Sequence, residues 1–444
     1  MKSVKAVDLT SGKISSALIK LAIPIMMSSL LQFIYGLIDM LWVGRLGSYA
    51  ITVIGSSSFF VGLGYAINSI VVIGTGIKVS HAIGRKEQEV TKEYINNGLI
   101  LNVIIGIGYM MILIFFGRNF IDFLGLGNLK IIRDSYLYLV ICAPMLLLAF
   151  FNTVYIRLLN SFGNNVGSLK ISATGIIINI VLDPILIYFF KFGVLGAAVA
   201  TLISNLIMFI LFNIRYWNTL KFNRRYGVSL EKSKEILRLG FPMAMQRIIF
   251  TLVNIIIAKI VAVFGDNAIA AQKIGLQIES VTYMVIGGLN GAVASFIGQN
   301  FGAKKYERIN KGYFTSLKIG GVYSGGMTII FILFAIPLAR LFVSSGETVT
   351  MASNYLRILA ISQIFSMIEV VSNGTFTGIA KPKIPSIISI VFTTMRIPLA
   401  LILMKPFGLN GIWLSFSLSS ILKGCTAFII YKFKCAKDIM KLGV

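Results

Sequence analysis

The chain has 444 residues, of which 57% are hydrophobic and only 13% charged, and its mean hydropathy is +0.86. Soluble domains carry about 25% charged residues. The composition therefore excludes an ordinary soluble enzyme, a disordered chain and a secreted disulfide scaffold, and indicates a polytopic membrane protein.

Apolar runs occupy 15–44, 50–76, 94–117, 134–156, 168–190, 194–214, 236–264, 268–298, 312–343, 354–378, 384–404 and 408–431. Each is roughly 20 to 30 residues, enough for a tilted helix across about 30 Å of hydrocarbon. No alternating barrel-strand pattern occurs, so the predicted fold is an all-α polytopic membrane protein with twelve transmembrane helices. The first run is too long for a signal core and follows Lys2, Lys5, Asp8 and Lys13, so no cleavable leader is expected. His81, beside Arg85 and Lys86, is expected to be a solvated loop residue. Cys142, Cys425 and Cys435 show no pairing pattern, so neither a disulfide nor a metal cluster is expected.

The 41 Lys and Arg outnumber the 16 Asp and Glu, giving a net charge of +25. These bases sit in short loops between apolar runs, which argues against nucleic-acid binding. With an inner N-terminus, 28 fall on the cytoplasmic side and 9 outside; Arg247, Lys259, Arg396 and Lys423 lie within spans. That asymmetry predicts a multi-pass protein of the plasma (inner) membrane with both termini cytoplasmic.

The longest polar connection runs from Tyr216 to Lys234. It predicts a first lobe at 1–215, a linker at 216–235 and a second lobe at 236–444. A shift of 218 residues aligns Pro24 with Pro242, Gly47 with Gly265 and Lys86 with Lys304, within 12 identities over the 69 positions from 21 to 89. Six spans per half make the halves parallel, two pseudo-symmetric six-helix bundles of the kind that transporters use.

Four acids interrupt apolar runs: Asp39, Asp183, Glu279 and Glu369. A charged residue at the bilayer centre costs about 2.5–3.5 kcal/mol on insertion scales, so each is a functional candidate. Gln32, Tyr35 and Asp39 recur at helical spacing, and the Tyr35 hydroxyl is placed to donate to the Asp39 carboxylate. Asn179 and Asp183 are one turn apart, and Pro184 leaves the Ile180 carbonyl without its helical donor. Those are hard oxygen ligands for a small cation. The competing reading is a proline kink patched by polar groups. Glu369 is expected either to pair with Arg396 or to touch substrate, and Glu279 to pair with Lys259 or Arg247. Met26, Phe33 and Met284 are candidates for an adaptable substrate cleft.

The segments LxxxLAIP, DMLWVGRLG, NIVLDPILI with GVLGAAVAT, AAQKIGLQIES, FIGQNFGAKK and RIPLALIL, in this order, resemble the MATE (multidrug and toxic compound extrusion) family from about Asp8 to Lys434. The resemblance implies two six-helix lobes and cation-coupled export. It is nearest to the DinF-like branch, whose coupling site lies in the N-terminal lobe. The matching positions are Asp39, Asn179, Asp183 and Thr201, with Asn152 a looser match. These four would hold the coupling ion, H+ or Na+. Phe250 stands where another branch carries an acid on the seventh helix, and the repeat aligns Asp39 with Ile257.

The function expected is a secondary antiporter exporting small organic, cationic or amphipathic compounds. It would act as a monomer in the lipid bilayer, with no cofactor, no catalytic residue and no nucleic-acid partner. The alternative is a flippase of lipid-linked precursors with the same architecture. No Walker, HExxH or CxxC motif points to an enzyme, and no selectivity-filter segment to a channel.

Overall fold

A computed structural model describes residues 7–126 and 128–441; Lys2 and Lys5, counted among the cytoplasmic bases, lie outside them. Among the described residues there are helices and no strand. Six helices form the first half: α1 (Ile14–Gly44), α2 (Ser48–Gly84), α3 (Gln88–Phe123), α4 (Leu129–Ser161), α5 (Asn165–Pro184) and α6 (Val194–Leu220). The second half follows with α7 (Leu230–Val261), α8 (Asp266–Gly302), α9 (Tyr306–Leu333), the short α10 (Ala335–Arg340), α11 (Gly346–Ala360), α12 (Gln363–Gly378), α13 (Lys383–Thr394), α14 (Arg396–Phe407), α15 (Leu409–Ile430) and the terminal α16 (Ala436–Lys441).

Among the described residues, eleven helical segments are long and apolar enough to cross a membrane, and a bent pair brings the number to twelve. The bent pair is α11 and α12, which meet at 57°. A single span at 354–378 was the expectation. The chain instead turns at Ile361–Ser362, and the Thr328 hydroxyl donates to the Ala360 carbonyl at the break, 3.1 Å away. A side chain that satisfies a freed carbonyl makes such a bend stable in an apolar setting. A second departure follows Pro184. The helix continues as one π-helical turn, Ile185–Phe189, closed by Phe190 N–H donating to Ile185 O at 2.9 Å. His81 is corrected as well: α2 runs to Gly84, so His81 sits in its last turn and is buried at 6% exposure.

The 218-residue repeat is written into the backbone. Gly47 and Gly265 precede α2 and α8 with φ of 89° and 92°, a region open mainly to glycine. Lys86 and Lys304 close the same two helices in the left-handed region, at 61° and 57°.

The chain divides into two compact units, and the divisions fall inside α1 and α7. The first unit is built on Met27–Ala244, the second on Leu9–Met26 together with the chain from Met245 onward. Both divisions come three residues after a helix proline, Pro24 and Pro242.

In the first unit α4 packs against α2, α3 and α6. One cluster gathers Val79, Tyr94, Tyr155, Leu158, Phe212 and Ile236; another gathers Tyr109, Cys142, Met145 and Phe150. The opening of α7 lies hard against α2: a Cβ on Gly74 would sit 2.1 Å from Ile236 O, and one on Gly240 1.8 Å from Ile70 O. The connection between α6 and α7 is pinned to α3. Asn96 donates to the carbonyls of Asn223 and Gly227, and Asn97 accepts from Ser229 N–H. Glu235 accepts from Tyr94 at 2.5 Å and pairs with Lys78 at 2.8 Å.

In the second unit α12 packs on α8, α9 and α15, around Leu18, Leu21, Phe296, Tyr313, Phe376 and Tyr431. The segment before α1 is clamped there. Leu9 N–H donates to Gln299, Asn300 donates to Leu9 O, and Arg308 donates to the carbonyls of Ser11 and Gly12. A second cluster holds Val253, Ile257, Tyr355, Trp413 and Phe416.

Candidate cation site and a charged cavity

In the first unit α1, α4, α5 and α6 each bring polar side chains into an apolar interior. Asp183 is fully buried on α5, and Asn179, one turn before it, is 2% exposed. Asn179 Nδ2 donates to Asp183 Oδ1 at 3.3 Å. Asp183 Oδ2 and Asn179 Oδ1 are left buried without a hydrogen-bond partner within the protein. Asp39, half-buried on α1, is within electrostatic reach of Asp183 and of the Tyr35 hydroxyl.

Thr201 on α6 donates to Ala197 O at 2.9 Å, and its hydroxyl lies 3.5 Å from that of Tyr35. The Tyr35 hydroxyl thus faces Thr201 across the helix pair, where donation to Asp39 was expected. Asn152 on α4 is buried and donates to the backbone and side-chain oxygens of Asn205, leaving its own Oδ1 unpartnered. Gln32 is exposed, so the polar stripe on α1 narrows to Tyr35 and Asp39. At the end of α1, Arg45 stacks over Trp42 at 5.2 Å.

Glu279 and Glu369 belong to the second unit. They line a cavity of about 570 Å³ with Phe250, Tyr283, Met284, Arg396, Phe416 and Lys423 among its walls. Glu369 lies 3.9 Å from Lys423 Nζ and accepts from Ser389 at 3.2 Å, so its basic partner is Lys423 on α15, where Arg396 had been one expectation. Glu279 accepts from Tyr355 at 2.9 Å. Among the described residues it forms no ion pair with Lys259 or Arg247, because those side chains are exposed on α7 while Glu279 faces inward from α8. Of the three cleft candidates, Met284 lines this cavity, Met26 packs on α8 where a Cβ on Gly288 would lie 2.4 Å from its Cγ, and Phe33 is half-buried in the first unit.

The family model described as MatE matches residues 24–185 and 242–402, once in each half of the chain. The chain belongs to the MatE family. Members of the MatE family are multidrug transporters rather than enzymes, and they use ion coupling. This MatE chain is accordingly a multi-pass membrane transporter. It is 26% identical over 424 residues to the probable multidrug resistance protein NorM of Thermotoga maritima, covering 90% of this chain and 89% of that one. It is also 26% identical to the probable multidrug resistance protein YpnP of Bacillus subtilis, over 97% of each. A solved structure described as MATE in the straight conformation has a TM-score of 0.92 at 25% identity, covering 99% of this chain and 100% of that one. The comparisons lend no support to a flippase.

No local pattern in the sequence points to Asn205 or to the pairing of Glu369 with Lys423. Lys423 was visible as a base inside a span, but its partner is on another helix, and no local spacing encodes that.

Proposed function

We propose that this transporter is an antiporter exporting small organic, cationic or amphipathic molecules in exchange for H+ or Na+, with Asp39, Asn179, Asp183 and Thr201 as the coupling site. One observation carries the reading: Asp183 Oδ2 and Asn179 Oδ1 are buried and unpartnered beside a second acid on another helix. Like charges in an apolar interior repel, and a shared cation relieves both the repulsion and the unmet hydrogen-bonding capacity.

Binding drives export only through unequal affinity for two conformations. Moving an equilibrium from 1:99 to 99:1 takes about 5.5 kcal/mol of difference. A site drawing on α1, α5 and α6 can supply it, because any shift among these three helices changes the distance between Asp39 and Asp183. Tyr35 and Asn152 border this site. Glu279 and Glu369 fall outside it, each already engaged in the second unit. The same reading sets the protein in the plasma (inner) membrane as a monomer with both termini cytoplasmic, lobes at 1–215 and 236–444, and kinship with the DinF-like branch.

The test is ethidium efflux from cells expressing wild type, Asp39→Asn or Asp183→Asn at matched membrane levels, with Na+ and pH gradients imposed separately. Efflux that follows one gradient and disappears in both variants is expected, and the effective gradient identifies the ion. Efflux that survives both substitutions overturns the reading.

A further inference from the structure

We propose that the cavity of the second unit binds an organic anion, a carboxylate on an aromatic frame, with Arg396 as its fixed receptor and Lys423 as its second positive pole. This reading does not depend on the coupling site. It concerns a different set of side chains with a different charge.

The four charged groups of the cavity are not equally engaged. Glu369 has Lys423 at 3.9 Å and the Ser389 hydroxyl at 3.2 Å, and Glu279 receives the Tyr355 hydroxyl. Arg396 differs. It is buried at 6% exposure, at the break between α13 and α14, and no carboxylate lies within 4.0 Å of it among the described residues. Its hydrogen bonds go to neutral hydroxyls, Nε to Ser419 at 3.0 Å and Nη2 to Ser420 at 3.5 Å. Those serines aim the guanidinium without neutralising it, and Glu279 acts on it only at longer range.

A guanidinium stays charged whatever surrounds it, and its planar fork matches a carboxylate. A buried, oriented and locally uncompensated guanidinium facing a cavity is therefore half of a charge-assisted pair, and the guest supplies the other half. Lys423 Nζ, paired with Glu369 at 3.9 Å but beyond hydrogen-bond distance of it, lines the same cavity as a second positive pole.

The rest of the wall sets the frame. Phe416 lies 4.8 Å beneath the Arg396 guanidinium, and Phe250, Tyr283 and Met284 offer apolar surface. Gln246 Oε1 and Asn373 Oδ1 also line the cavity, buried and without hydrogen-bond partners, which suits a hydroxyl or amino group on the guest. The volume is that of a small-molecule site.

The test uses the full-length protein in lipid nanodiscs and three fluorescent probes on one scaffold: 9-anthracenecarboxylate, 9-anthracenecarboxamide and 9-(aminomethyl)anthracene. The carboxylate is expected to bind at least about tenfold more tightly than the other two. Arg396→Gln removes that preference, Lys423→Gln weakens it, and Arg396→Lys keeps part of it. Leu276→Trp fills the cavity without touching a charge and abolishes binding of all three, so the site remains testable if Arg396→Gln does not fold. Arg118→Ala, which breaks an exposed pair on α3, leaves probe binding unchanged. Equal affinity for the three probes, tightest binding of the amine, or a carboxylate preference that persists in a folded Arg396→Gln protein overturns the proposal.

Discussion

The two units start from one repeated pattern and end with opposite electrostatics. In the first, Asp39 and Asp183 sit with amide and hydroxyl groups, and neither has a base within ion-pair distance among the described residues. In the second, the position that aligns with Asp39 is Ile257, fully buried among Val253, Val261 and Trp413. Glu279 and Glu369, on α8 and α12, share a cavity with two bases. A shared backbone thus fixes where helices start and stop, while a few substitutions decide which unit buries acids without bases and which sets Arg396 and Lys423 beside its acids.

That contrast can be broken most severely at the first unit's acid pair. Asp183→Asn is expected to lower gradient-driven efflux by more than about tenfold, read as initial rate at equal protein level. The converse experiment makes the second unit resemble the first. Ile257→Asp places a carboxyl among apolar side chains with no donor prepared for it, and a loss of about 3 kcal/mol or more in denaturant unfolding is expected. Full stability in that variant would mean that the second unit tolerates an acid there and that the contrast is shallow.

A smaller effect tests the shared scaffold. Gly240→Ala sets a methyl group 1.8 Å from Ile70 O, and about 1–3 kcal/mol of destabilisation is expected from forcing α7 away from α2. Tyr355→Phe removes one hydrogen bond to Glu279 and is expected to cost about 1 kcal/mol, with efflux retained. At the other extreme, Arg118→Ala breaks an exposed pair with Asp122, half of whose surface is open, and melting temperature is expected not to move.

Much of this organisation was legible in the sequence because it is local. Hydropathy gave the spans, and Gly47 with Gly265 and Lys86 with Lys304 recur in the sequence because the same turns recur in the backbone. Asn179 and Asp183 were readable as a pair because helical spacing enforces their contact. What escaped depends on helices far apart in the chain. Lys423 meets Glu369 across two helices, Tyr35 meets Thr201 across 166 positions, and the bend between α11 and α12 is held by Thr328. His81 was misread because a charged neighbourhood in sequence says nothing about which helix face it occupies.

The division of α1 and α7 bears on how the chain matures. The segment at Leu9 is synthesised early, yet its partner Gln299 lies 290 residues further on. The opening of α7 closes the first unit, while the opening of α1 waits for α8 and α9. Each half therefore depends on a strap encoded with the other. Closing such a long loop is entropically costly and belongs late in folding. Leu18, Leu21 and Ala22 must stay shielded until then, so the early part of α1 is where a folding helper or the surrounding lipid has to stand in for the protein itself.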